Sequence, residues 1–141
     1  DESGSVSNRE YLYFMSEIRS LVQSVECSIV VYEFCTAIEK KTVLDSRKSI
    51  NEFFNGKDGK SYSRLLGGTA FQPIFDEVRS ESNLDLNNTI VVVLTDGKGE
   101  PAVNFEGVKN RLWVVVDDGE LSCDEYSRNV YPVVGTPKIK Y

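Results

Sequence analysis

The stretch DESGS, Asp1 to Ser5, alternates Asp1, Ser3 and Ser5 with Glu2 and Gly4. A carboxylate and two hydroxyls can therefore converge from one tight loop. Two further oxygen-bearing positions follow: Thr69, behind Gly67 and Gly68, and Asp96 in LTDG. Three hydroxyls and two carboxylates form an all-oxygen donor set, which suits Mg²⁺ or Mn²⁺ and, less specifically, Ca²⁺. Nothing in it favours zinc, and the chain contains no histidine. That absence removes Ser-His and Cys-His nucleophilic chemistry and the HExxH type of metallopeptidase site.

Each part also has a plainer reading. DESGS can be a solvated tail, Thr69 an N-cap for the helix behind it, and Asp96-Gly97 a common turn pair. Gly67 and Gly68 can serve backbone freedom alone. The joint order matters more, because each part falls at an expected strand end or helix start.

The elements that would position these groups are legible in the patterning. Ser7 and Glu10 form a capping box. Behind it Tyr11, Phe14, Met15, Ile18, Leu21 and Val22 give an amphipathic helix. VECSIVVYEF and AIEKKTVL read as a strand pair turning near Cys35-Thr36-Ala37. Residues 45–54 fit a short helix, and NGKDGKS (55–61) a charged surface loop without a hydrophobic anchor. Phe71, Ile74, Phe75 and Val78 mark a third helix, with Pro73 tolerated in its first turn. TIVVVLTDG (89–97) and RLWVVVDDG (111–119) are continuous apolar runs, the pattern of parallel strands buried on both faces. A brief helical crossover is expected at 103–109, a short helix after Asp118, and a last strand at 129–134. Asp117 and Asp118 read as ordinary turn carboxylates, with a negative rim around a cation as the alternative, Trp113 as core or helix-packing surface, and Cys123 as a plain buried or semi-buried thiol. The fold class is α/β: a three-layer, Rossmann-like arrangement, mostly parallel, with one antiparallel edge strand.

The chain has 141 residues, enough for one domain, with 40% hydrophobic and 27% charged residues and a net charge of −6. That charge, without a basic patch, disfavours nucleic acid as a partner. No apolar run reaches the ~18 residues of a membrane span. Three cysteines without CxxC spacing (Cys27, Cys35 and Cys123) suit a reducing, cytoplasmic setting.

DESGS, GGT and LTDG, in that order, resemble the metal-ion-dependent adhesion site (MIDAS) of von Willebrand factor type A (VWA) domains. The longer text GGTAFQPIFDEV, VVVLTDGKGE and RLWVVV is similar to the VWA-like domain at the carboxyl end of bacterial metallopeptidase-like proteins, often encoded beside AAA+ ATPases. The resemblance covers essentially the whole chain as a single domain, 1–141. It implies that Ser3, Ser5 and Thr69 ligate the metal, that Asp1 and Asp96 act directly or through water, and that one position is left for an acidic residue of a partner. An AAA+ ATPase of the MoxR type is the partner that this context suggests.

Two departures stand out. Relatives often read GGTDF where this chain has Ala70. The family's first Asp also closes an apolar central strand, which this chain lacks, so the chain is expected to be a piece of a longer protein unless another segment fills the gap. The leading expectation is a cation-dependent protein-binding module. Its competitors are part of a hydrolase whose catalytic groups lie upstream, an Asp-based phosphotransferase (against which stands Ser3, where a second carboxylate is usual), and a scaffold with a vestigial site.

Overall fold

In a computed structural model, the structure describes residues 1–57, 66–117, 119–123, 125 and 127–130, the last four by their backbone alone. Helix α1 runs Asn8–Ser24, and its capping box is formed: Glu10 N–H donates to Ser7 Oγ at 3.2 Å, and Ser7 N–H to Glu10 Oε2 at 2.6 Å. Strands β1 (Ile29–Phe34) and β2 (Ile38–Leu44) pair antiparallel with an irregular register at Glu33/Phe34. The extra residue is Glu39 of β2, between the partners of Glu33 and Phe34. Helix α2 (Arg47–Phe54) is capped by Ser46, whose hydroxyl accepts from Ser49 N–H.

Helix α3 spans Gln72–Ser80, with proline in its first turn. A single 3-10 turn at Leu86–Asn88 leads into β3 (Val91–Thr95). Strand β3 pairs parallel with β4 (Arg111–Val116), and β4 pairs parallel with β5 (Ser127–Val130). The domain is thus a small mixed α/β unit holding a parallel sheet and an antiparallel pair. Between the two lie Asp1 and Glu2. The Asp1 nitrogen donates to Leu94 O at 3.1 Å on the β3 side, and Glu2 N–H to Phe34 O at 2.9 Å on the β1 side.

Side-chain alternation sorts the core into two clusters. Val93 and Trp113 pack with Phe71, Ile74, Phe75 and Val78 of α3 and with Phe34. Val116 and, more peripherally, Leu94 pack with Tyr11, Phe14 and Met15 of α1 and Phe53 of α2. Trp113 is fully buried, edge-on to Phe71 with ring centroids 5.0 Å apart, so its role is packing. Among the described residues no helix is long and apolar enough to cross a membrane.

Three local expectations are corrected. Residues 103–109 form no helix: Gly107 takes a left-handed φ of 78°, and Val103, Phe105 and Val108 reach the core at spacings that no helix face offers. The described residues after Asp118 carry bends rather than a helix, and β5 starts two residues earlier than the expected strand, of which 131–134 lie outside the described residues. Lys57 is not a surface loop residue. It is buried, its ammonium 3.0 Å from Glu33 Oε1 and 4.2 Å from the centre of the Phe53 ring. Residues 58–61 of that loop lie outside the described residues.

Candidate metal centre

Asp1 is held by both carboxylate oxygens. Oδ1 accepts from Ser3 N–H at 2.9 Å, closing the DESGS loop on itself, and Oδ2 accepts from the Thr95 hydroxyl at 2.6 Å. Each oxygen has a second lone pair, so the carboxylate can also orient a metal-bound water. The turn places Ser3 Oγ and Ser5 Oγ 3.3 Å apart. Ser3 is buried and Ser5 exposed, so the pair runs from the interior to the surface.

Thr69 lies on the segment 66–70, which is strapped to its neighbours by backbone. Gly4 N–H donates to Gly67 O at 2.8 Å, and Ala70 N–H to Cys35 O at 2.9 Å. The first bond joins this segment to the DESGS loop. Thr69 is not the cap of α3. The N-cap position is Phe71, and the helix's first N–H groups go to Glu100: Phe71 N–H donates to its Oε2 at 2.7 Å and Gln72 N–H to its Oε1 at 2.7 Å. A carboxylate at a helix N-terminus meets both the free donors and the positive end of the dipole. The Thr69 hydroxyl is left out of that work.

Asp96 follows β3 directly and is buried. Its Oδ1 accepts from Lys98 N–H at 3.2 Å, while its buried Oδ2 accepts no hydrogen bond. Gly97 turns the chain with φ 86° and donates its N–H to Thr95 Oγ1 at 3.0 Å. A Cβ on Gly97 would stand 2.5 Å from Glu120 O, and one on Gly119 the same distance from Asp96 O. The loops after β3 and β4 therefore meet backbone to backbone, which fixes where Asp96 sits.

The structure thus ties DESGS to LTDG through Asp1 and Thr95, DESGS to the Thr69 segment through Gly4 and Gly67, and α3 to the Asp96 loop through Glu100. The donor chemistry and the buried Asp96 Oδ2 fit a hard divalent cation, because a desolvated carboxylate oxygen without a hydrogen bond is costly unless a cation neutralises it. Among the described residues no three His, Cys, Asp or Glu side chains gather as a metal-holding group. A set of three hydroxyls and two carboxylates is of a different kind.

Four residues escaped the sequence reading. Thr95 is fully buried, bridging Asp1 and Gly97. Its place beside Asp96 was the available signal, but an apolar run hides a threonine easily. Glu100 caps a helix that begins 28 residues earlier, a pairing that no local pattern carries. Glu33 and Lys57 likewise meet only in the tertiary structure. Asp117 sits in a left-handed turn, φ 53°, and bonds Arg9 at 3.0 Å, as a turn carboxylate should. Asp118 lies outside the described residues. Burial pushes the Cys123 thiol up from its ordinary range, and the side chain packs in the core cluster that holds Trp113.

No curated protein and no solved structure matches the chain. The family described as VWA-like domain (DUF2201) matches residues 1–130, nearly the whole length, and the chain belongs to that family.

Proposed function

We propose that this domain is a divalent-cation-dependent protein-binding module. Ser3, Ser5 and Thr69 supply hydroxyl ligands, and Asp1 and Asp96 supply carboxylates, direct or through water. The preferred ion is Mg²⁺ or Mn²⁺. Two carboxylates and neutral hydroxyls leave the ion attracting a further anion, so an acidic side chain of a partner completes the shell. The observation that carries this reading is the buried, hydrogen-bond-free Oδ2 of Asp96, on a loop bonded through Thr95 to Asp1. The reading includes a three-layer MIDAS-type domain in which the two strand groups join through the Asp1–Glu2 segment. It also takes the domain to work in the cytoplasm, with a MoxR-type AAA+ ATPase as the partner to try first.

The deciding experiment is a Mn²⁺ titration followed by electron paramagnetic resonance, with Thr69→Ala alongside. Saturable 1:1 binding that Thr69→Ala weakens by about ten-fold or more supports the site. A folded wild type that binds no Mn²⁺, or binding indifferent to Thr69, overturns it.

A further inference from the structure

Asp96 has a second neighbour whose chemistry bears on the cation. The Lys98 ammonium stands 3.8 Å from Asp96 Oδ2, the same oxygen that accepts no hydrogen bond. The two side chains differ sharply in environment: 73% of the Lys98 side chain is exposed, against 6% for Asp96. At 3.8 Å the ammonium makes no hydrogen bond, so its attraction to the oxygen is Coulombic. The backbone is not free to separate them. Lys98 N–H holds Asp96 Oδ1, Gly97 turns at φ 86°, and Gly97 N–H is bonded to Thr95. The lysine root is thereby fixed over the carboxylate while its four-carbon stem stays in solvent.

We infer that Lys98 is a tethered counter-ion that competes with the divalent cation for Asp96. The inference rests on the metal-binding reading above. A dication on Oδ2 and an ammonium within about 4 Å of the same atom repel each other, and only the ammonium is mobile. Cation entry therefore displaces it into water, where an exposed side chain goes at little cost. Lys98 lowers the domain's cation affinity, and removing its charge raises it. A lysine that merely held the loop in shape would have the opposite effect, since its loss would loosen Asp96 and weaken binding. The sign of the change separates the two roles.

The experiment is Mn²⁺ titration of wild type, Lys98→Gln, Lys98→Arg and Thr69→Ala, by paramagnetic resonance and by calorimetry, at low and high salt. Lys98→Gln is expected to bind Mn²⁺ about two- to five-fold more tightly than wild type at low salt. Lys98→Arg, which keeps the charge, should stay within about two-fold of wild type. Raising the salt should shrink the gap between wild type and Lys98→Gln, because the screened ammonium competes less. If wild type binds Mn²⁺ in a Thr69-dependent way and Lys98→Gln binds equally or more weakly, the counter-ion role is wrong and the metal site stands. If neither wild type nor Lys98→Gln binds, the metal reading falls and this inference with it. The exposure of Lys98 makes folding of its variants a secure control, checked by their thermal denaturation.

Discussion

Two buried carboxylates, one on either side of the DESGS loop, are neutralised in different ways. Glu33 on β1 meets a lysine as buried as itself, at 3.0 Å, and that lysine also lies on the Phe53 ring. Asp96 behind β3 meets a lysine that is mostly in water, at 3.8 Å and beyond hydrogen-bond reach. The first arrangement is closed: charge, geometry and burial match, so it locks the segment after α2 onto the sheet. The second is open, and its charge can be exchanged. Burial of a carboxylate alone therefore says little about function. What distinguishes the two is whether the counter-charge is buried too.

The contrast predicts opposite responses to mutation. The largest effect is expected from Lys57→Met, which leaves Glu33 charged in the interior and should cost about 3–5 kcal/mol in urea unfolding. Pairing it with Glu33→Gln should recover much of that loss, because two neutral groups replace an orphaned charge. A double variant no more stable than the single one would mean the pair is not a closed unit. Next comes Asp96→Asn. Its effect should fall on Mn²⁺ affinity, between about 10- and 100-fold, with stability within about 1 kcal/mol of wild type. Strong destabilisation without any change in Mn²⁺ binding would place Asp96 in the same structural class as Glu33.

Glu100→Ala tests a third kind of carboxylate, one that answers helix donors rather than a cation. Losing its bonds to Phe71 and Gln72 should cost about 1–2 kcal/mol in thermal or urea unfolding. The smallest expected effect concerns Glu125, held by Arg111 through Nη2–Oε1 at 2.7 Å and Nε–Oε2 at 3.0 Å. That guanidinium keeps the carboxyl below its ordinary range. A folded-state pKa below the unfolded one means stability that is present above the unfolded value, near 4.3, and lost as pH falls through the folded one. Glu125→Gln should therefore flatten the acid limb of stability below about pH 4, by roughly 1 kcal/mol. An unchanged acid limb would show that the Arg111 contact contributes nothing to folding.

Much of the framework was legible because its causes are local. The capping box at Ser7 and Glu10, the apolar face of α1 and the unbroken runs of β3 and β4 each sit within a few residues of sequence. The crossover at 103–109 misled for a specific reason. Val103, Phe105 and Val108 are apolar enough to suggest a buried element, but they serve the core as an extended loop. The Gln72 side chain donates to Asn104 O and accepts from Asn104 N–H, taking up the backbone groups that a helix would have used. The charged NGKDGKS stretch misled in the other direction, since charge in a Gly-rich segment ordinarily means solvent, yet Lys57 lies inside.

By itself the sequence determined the residue types of the candidate site, their order and the family to which the text belongs, because donor chemistry and strand or helix patterning are written locally. It also determined that no histidine chemistry is available. Only the tertiary structure decided that Thr95 supports Asp1, that Glu100 rather than Thr69 caps α3, and that Lys57 belongs to Glu33 while Lys98 leans over Asp96. Each of those pairings depends on which chain segments the packed core brings within a few ångströms. Charge and hydrogen-bond partners in a folded interior are chosen by that proximity, not by distance along the chain.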